Sequence, residues 1–291
     1  MQTVTCTRAL SDHPCFYGSA KARWGRIHLP VAPKCNIQCN FCNRLYDCAN
    51  ESRPAVTSGI LKPNDVLPHL NALFSQRSDI SVVGIAGPED PLCEPDVTLA
   101  ALRRARSAFP AMLLCLSTNG LNLAGHVDAL AEVGVTHVTV TVNAVDPSVG
   151  GKIYQWVRMN KRLYRGRKAA ELLLSQQRDA IVELKAKGFV VKINTVLIPE
   201  INTGHVEAIA EEVAGLGADL MNCIPMIPIS GTPFENLRRL TDAEVERLRH
   251  FASLIIPQMY HCARCRADAI GLLNENNEGE KDEFRNPRAA G

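Results

Sequence analysis

Arg26-Ile27-His28-Leu29-Pro30-Val31-Ala32-Pro33-Lys34-Cys35-Asn36-Ile37-Gln38-Cys39-Asn40-Phe41-Cys42 is a strand-like run that enters a loop carrying three cysteines. A doubly wound nucleotide-binding sheet would place glycines in its first βα turn, so that the backbone could approach a phosphate. This turn carries thiols instead. Beyond it, strand-like Ile80–Ala86, Ala111–Thr118, Thr136–Asn143, Phe189–Val196 and Asp219–Ile224 follow Arg26–Val31. They alternate with helix-like Pro63–Gln76, Pro95–Ala108, Ala124–Val133, Lys168–Lys187, His205–Leu216 and Asp242–Ile256. Six βα units in succession imply a parallel sheet with right-handed crossovers. Curled into a partial (β/α)6 barrel, such a sheet gathers its functional groups at the C-terminal ends of the strands.

The period of two within the strands supports the barrel. Val138, Val140 and Val142 share one face of their strand, and Thr139, Thr141 and Asn143 share the other. Lys192 and Asn194 lie opposite Val191 and Ile193, Cys115 shares a face with Ser117, and His28 lies opposite Ile27 and Leu29. A strand covered by helices on both faces is nearly all apolar. A polar face recurring across four strands implies a lumen that holds something polar, although any one such residue could equally be a satisfied buried polar group.

The chain has 291 residues, 46% of them hydrophobic, and 32 Lys+Arg against 30 Asp+Glu. That is a globular composition, and a net charge of +2 gives no reason to expect a nucleic-acid partner. No apolar run has the roughly 18–20 residues of a membrane span, and the polar N-terminus lacks a secretory pattern, so a cytoplasmic location is expected. Eleven cysteines are the unusual number. In a chain of this length without an export signal, close-set cysteines point to metal rather than to disulfides. Zinc would pair Cys39/Cys42 with Cys262/Cys265 and leave Cys35 an orphan. Three thiolates at the Cys35-x3-Cys39-x2-Cys42 spacing suit three irons of a 4Fe–4S cube and leave its fourth iron open.

Between Lys152 and Lys168 lie seven basic residues and no acidic one. This is either a solvated face or positive charge set near thiolate-ligated clusters or an anionic partner. From Gly271 onward, through Asn274-Glu275-Asn276-Asn277-Glu278, the composition reads as a disordered tail.

The run from Lys34 to Cys42 resembles the cluster loop of the radical S-adenosylmethionine (SAM) superfamily. Further runs are similar to the NifB family of nitrogenase cofactor maturation proteins. They are His13-Pro14-Cys15, Asn40-Phe41-Cys42-Asn43-Arg44 with Cys48, Glu51-Ser52-Arg53-Pro54, Lys152-Ile153-Tyr154-Gln155-Trp156-Val157, Val191 to Pro199, and His261-Cys262-Ala263-Arg264-Cys265-Arg266-Ala267-Asp268-Ala269. The resemblance implies a radical SAM partial barrel over 26–256, with a ligand-bearing N-terminal extension over 1–25. A cluster-binding motif over 257–272 and a disordered tail over 273–291 complete the expected organisation.

It also implies three [4Fe–4S] clusters. Cys35, Cys39 and Cys42 would hold the SAM-ligating cluster; Cys15, Cys262 and Cys265 a second; His28, Cys48 and Cys115 a third. Cys6, Cys93 and Cys223 are then left over as small buried hydrophobes. The implied reaction uses SAM twice, once to methylate a cluster sulfide and once to form the 5′-deoxyadenosyl radical. The radical abstracts hydrogen from that methyl group, and the two auxiliary cubes fuse around a carbide as an eight-iron cofactor precursor. Glu51 and Arg53 follow the cluster loop closely enough to reach the cluster cavity as catalytic candidates, with Glu51 handling protons or touching a cluster, the alternative being an ordinary ion pair. Phe41, Gly87, Glu89, Asp90, Ser117, Asn143 and Asn194 fall where SAM contacts are implied, with Asp90 on the amino group.

The family usually shows Gly-Pro-Gly-Asp-Pro where this chain has Gly87-Pro88-Glu89-Asp90-Pro91. If position 89 needs a positive φ, glutamate there strains the turn and weakens SAM binding. Many relatives carry a C-terminal carrier domain for which this sequence has no room, so a standalone form is expected. Its partners would be a separate carrier or scaffold of nitrogenase maturation, an Fe–S cluster donor and an electron donor. Two other readings are open: a different radical SAM enzyme with auxiliary clusters, and an Fe–S scaffold without turnover.

Overall fold

A computed structural model describes residues 8–273 and residue 275. Six parallel strands form the main sheet: β1 (Gly25–His28), β3 (Ile80–Ile85), β4 (Leu113–Thr118), β5 (Val135–Thr141), β8 (Val190–Leu197) and β9 (Leu220–Pro225). They lie side by side in chain order, with β10 (Ile270–Gly271) antiparallel on the free edge of β1. A doubly wound sheet reverses its order at a switch point. An order that never reverses keeps every crossover on one side and curls the sheet around an open lumen. The expected partial barrel is what the chain forms.

The outer face of the sheet is the apolar one. Ile27, Val83, Leu114, Leu116, Val138, Val140, Val191 and Ile193 pack there in one buried core. The helices that cover it are α1 (Val66–Phe74), α2 (Pro95–Ala108), α3 (Val127–Val133), α5 (Gly166–Ala186), α6 (Val206–Gly215) and α7 (Asp242–Ser253). Local chemistry sets their ends. Pro95 opens α2 at its first position, and Thr241 and Glu244 form a capping box on α7. Gly134 and Gly188 follow α3 and α5 with φ of 83° and 79°, a left-handed conformation that costs glycine little.

The crossover from β5 to β8 contains α4 (Pro147–Ile153) and a hairpin of β6 (Tyr154–Met159) and β7 (Arg162–Tyr164). β6 also pairs antiparallel with β2 (Ile37–Cys39), a three-residue strand inside the cysteine loop. The middle of the basic run, Arg158, Lys161 and Arg162, is therefore the outer part of a small sheet built onto that loop. A second apolar core, with Ile37, Cys39, Phe41, Ile153, Tyr154, Val157 and Leu173, fastens this sheet to the barrel.

The chain stays packed further than its composition suggests. Gly271 pairs with Arg26 in the β1–β10 ladder, and Leu273 is buried. The onset of disorder expected at Gly271 is thus corrected: β1 has an unpaired edge, and this segment covers it. The rest of the expected tail, residue 274 and residues 276–291, lies outside the described residues. Cys6 does so as well.

Candidate active site

Strand register carries lumen-facing side chains into rows, because paired residues of a sheet share a face. His28, Gly84, Cys115 and His137 are consecutive partners across β1, β3, β4 and β5. Above them Ser117 pairs with Thr139, which pairs with Lys192. One step further along the strands, Thr141, Asn194 and Asn222 form a third row. These are the polar faces expected from the period of two.

The row at Gly84 is open because its middle member has no side chain. A Cβ there would collide with Cys115 Sγ and lie 3.6 Å from His28 Cδ2. His28 Nδ1 is 3.3 Å from the carbonyl oxygen of Arg266. A carbonyl only accepts, so Nδ1 carries the proton and Nε2 keeps its lone pair. Burial, reinforced by Arg26, lowers the His28 pKa to about 4 and keeps the imidazole neutral, the form that ligates metal.

Cys15, His28, Cys262 and Cys265 line one small hollow of about 60 Å³ together with Glu51, Ser117, Lys192 and Asn194. A larger cavity of about 470 Å³ lies outside it, and Ile224, Cys262, Ala263 and Arg264 line both. Arg53 lines the outer cavity rather than the inner one. Burial pushes Cys15 up to about 11, with Lys192 opposing and Cys265 and Cys262 adding to the shift. Cys115 is raised to about 12 by burial, and next by the nearby Cys15. The structure thus brings Cys15, Cys115, His28, Cys262 and Cys265 to one region.

Cys48 lies elsewhere. Asn50 Nδ2 is 3.6 Å from Cys48 Sγ and 3.7 Å from Cys39 Sγ, so Cys48 stands beside the first cysteine loop. Burial raises Cys42 to about 12 and holds Cys35, Cys39 and Cys48 well above the usual thiol range. Of the remaining cysteines, Cys223 is fully buried in the main core, as expected, whereas Cys93 is only half-buried.

Glu51 connects the two regions. Its carboxylate accepts hydrogen bonds from the Ser117 and Thr141 hydroxyls and, at 3.1 Å, from Asn194 Nδ2. Burial raises it to about 7 despite those bonds. Asn143 and Asn194 both brace the same loop: Asn143 Nδ2 donates to Asn50 Oδ1 at 3.1 Å and Asn194 Nδ2 to Asn50 O at 3.2 Å.

The turn after β3 departs from the expectation in two ways. Positive φ falls on Gly87, at 146°, and not on Glu89, so glutamate at position 89 brings no backbone strain. Asp90 directs its carboxylate at the chain itself. Leu92 N, Thr118 Oγ1 and Asn119 N donate to it at 2.9, 3.0 and 2.7 Å, which ties the turn to the end of β4. The Glu89 carboxylate has no hydrogen-bond partner among the described residues, and burial raises it to about 7 while Arg44 lowers it. Phe41 is wholly buried in the second core.

Sequence reasoning passed over Arg26, Asn50, Lys192 and Asn222 as site residues. Arg26 lies two residues before His28 and so on the same strand face, a signal the alternation already held. Its Nη2 donates to Cys265 Sγ at 2.8 Å. Asn50 carried no signal, since its place depends on how the loop folds back.

The donor set can be tested against a cluster on the residues themselves. Among the described residues no three His, Cys, Asp or Glu side chains converge on a single ion. A cube spreads its thiolates over separate irons and needs them further apart. Cys39 and Cys48 are buried and the other candidate thiols half-buried, several accept N–H groups from asparagine or arginine, and Asn222 Oδ1 and Asn36 Nδ2 are buried without partners. Soft sulfur donors with N–H groups around them suit iron–sulfur clusters.

Residues 29–213 match the family model of the radical SAM superfamily, and the chain belongs to that superfamily. Membership implies a [4Fe–4S] cluster and SAM as cofactors. Solved structures share the fold at low identity. Methylornithine synthase aligns with a TM-score of 0.54 and 16% identity, over 91% of this chain and 79% of that one. Native anSMEcpe with bound AdoMet and Cp18Cys peptide aligns at 0.58 and 13%, over 81% of this chain and 63% of that one.

Within the superfamily, the chain belongs to the NifB family of FeMo cofactor biosynthesis proteins. It is 48% identical over 274 residues to NifB of Chlorobaculum tepidum, covering 94% of this chain and 65% of that protein. It is 43% identical to the protein of Frankia alni over 95% of this chain and 56% of that one. With NifB of Methanocaldococcus infernus it shares 43% over 91% of this chain and 87% of the relative. The chain thus spans between about half and two-thirds of several curated relatives and most of another. Among the described residues no helix is long and apolar enough to cross a membrane.

Proposed function

We propose that this chain is a radical SAM enzyme that builds the eight-iron core precursor of the nitrogenase cofactor from two [4Fe–4S] substrates. The supporting observation is the position of Glu51, which hydrogen-bonds lumen residues while lining the hollow shared by Cys15, His28, Cys262 and Cys265. The Glu51 backbone N–H donates to the Cys48 carbonyl at 3.1 Å, beside the cysteine loop.

Cys35, Cys39 and Cys42 hold the SAM-ligating cluster in this reading, which when bound supplies the electron that cleaves SAM to the 5′-deoxyadenosyl radical. Glu89 offers the unpaired carboxylate for the SAM amino group, and Asp90 positions the turn. Cys15, Cys262 and Cys265 hold one substrate cluster. His28 and Cys115 hold the other, with Cys48 their third ligand once the loop at Asn50 moves. Glu51, with a pKa of about 7, takes and releases protons near neutrality as the methyl carbon is stripped of hydrogen. Phe16, Met259 and Leu273, which also line the hollow, limit the water around the radical. The product leaves for a carrier or scaffold protein, and a separate donor supplies clusters.

Anaerobic reconstitution tests this reading by iron content and by EPR before and after SAM. About twelve irons per chain, a SAM-dependent change in one signal and formation of 5′-deoxyadenosine are expected. About four irons would reduce it to a radical SAM enzyme without cluster substrates. Full loading with no response to SAM would make it a scaffold.

A further inference from the structure

The seven basic residues from Lys152 to Lys168 do not share a single solvated helix. Arg158, Lys161 and Arg162 lie on the β6–β7 hairpin of the small sheet β2–β6–β7, whose strand β2 carries Cys39, while Lys152 ends α4 and Arg165, Arg167 and Lys168 open α5. Cys39 pairs with Tyr154 and Gln38 with Trp156, so the hairpin lies one strand spacing, about 4.8 Å, from the cluster loop.

The outer face of this sheet has a definite composition. Arg158 and Leu163 are direct cross-strand partners and both are exposed, Leu163 at 42%. Trp156, two residues before Arg158 on the same face, lies between two guanidiniums, with Arg44 and Arg158 each 5.3 Å from its ring centroid. Arg44 also donates to Gln38 Oε1 at 2.8 Å and to the Ile37 carbonyl at 2.8 Å. It therefore joins the half-buried tryptophan to the backbone of the cysteine loop. Among the described residues, of the seven basic side chains only Arg167 is in an ion pair, with Glu171. Asp146 also faces Arg167. Arg158, Lys161, Arg162 and Arg165 are left as exposed, uncompensated charge around a small apolar centre.

We propose that the outer face of the β6–β7 hairpin is the docking surface for an acidic one-electron carrier protein that reduces the SAM-ligating cluster. The proposal rests on the radical SAM reading, whose reductive step needs one electron per SAM cleaved. The carrier is oxidised by one electron, the cluster site is reduced by one, and no proton or group moves. Redox encounters of this kind use small interfaces, steered by opposite charge and quick to release. A basic rim around Leu163 and Trp156, one strand from Cys39, has that character.

An acidic flavodoxin is the probe, and the variant is Arg158→Glu with Arg165→Glu. A matched double reversal at Arg239 and Arg247, remote in sequence from the hairpin, is the control. Association is measured first on the cluster-free chain, at about 20 mM and about 500 mM salt. Binding at low salt is expected to disappear at high salt and to weaken about tenfold or more in the hairpin variant, but not in the control. On the loaded enzyme, 5′-deoxyadenosine formation driven by reduced flavodoxin should fall in parallel, while formation driven by dithionite is unchanged. Three results overturn the proposal: no binding by the native chain, undiminished binding by the hairpin variant, or equal affinity for a short DNA duplex, which would make this a general anion surface. If dithionite drives no SAM cleavage even in the native enzyme, the radical SAM reading fails separately, and the binding arm still decides the surface.

Discussion

His28 and Cys115 flank Gly84 in a single register row, with only the hydrogen of the glycine between them. Gly84→Ala would place a methyl against Cys115 Sγ and within 3.6 Å of the His28 ring. The strand itself tolerates alanine, since the φ of Gly84 is not positive. Reconstituted Gly84→Ala is expected to bind about four fewer irons than the native chain, with its SAM-dependent EPR signal intact. An unchanged iron count would mean that no cluster occupies the space above Gly84.

Glu51 sets a pH dependence whose sign follows from its environment. Its pKa is about 7 in the folded chain, because burial outweighs the Ser117 and Thr141 hydrogen bonds, against about 4.3 when unfolded. Its contribution to stability is fully present below pH 4, declines as pH rises through 7, and is then lost. Glu51→Gln removes this decline. Urea unfolding of the cluster-free chain between pH 5 and 8 should therefore show a flatter slope in the variant, with a difference of at most about 3 kcal/mol across the window. Parallel slopes would show that Glu51 is charged throughout.

What could be read from the sequence divides along physical lines. The six βα units were legible because each strand alternates or runs apolar and each helix keeps a 3.6-residue period; α2 begins and ends where its residues say, at Pro95 and Ala108. The β6–β7 hairpin was not legible as structure. Its strands have six and three residues, one face is exposed and basic, and its partner β2 lies inside a cysteine loop. The spacing of Cys35, Cys39 and Cys42 alone announced a cluster. Which of them stand together depends on register and on loop path, and neither is encoded locally. That is why Cys48 lies beside Cys39 while Cys115 comes near Cys15.

The turn at Glu89 and Asp90 separates two roles that a motif merges. Three donors occupy the Asp90 carboxylate, whereas the Glu89 carboxylate is buried and unpartnered among the described residues. Asp90→Asn should cost stability, about 1–3 kcal/mol by chemical denaturation, because it leaves a buried donor at Thr118 or Asn119 unpaired. Glu89→Gln should leave stability unchanged or raised and weaken SAM binding about tenfold, measured by calorimetry on the anaerobically loaded enzyme. The reverse pattern would return the SAM amino contact to Asp90.

Arg26 anchors the C-terminal cysteines. The side chain is wholly buried, and its Nη1 donates to the carbonyls of Gly271 and Leu272, the latter at 2.8 Å, while Nη2 reaches Cys265 Sγ. A buried guanidinium is tolerated only when such partners are in place. Arg26→Met replaces it with an apolar chain of similar length but frees the carbonyls and the sulfur, so residues 262–273 should detach from β1. The expected result is about four fewer irons per chain, together with new protease cleavage in that segment while α1 to α6 stay protected. Arg26→Lys keeps the charge but lacks the planar fork needed to reach two carbonyls and a thiol at once, so its iron content should be intermediate. A melting temperature lowered in both variants with full iron content would instead mean that Arg26 serves the core alone, and that the C-terminal cysteines are held by their own loop.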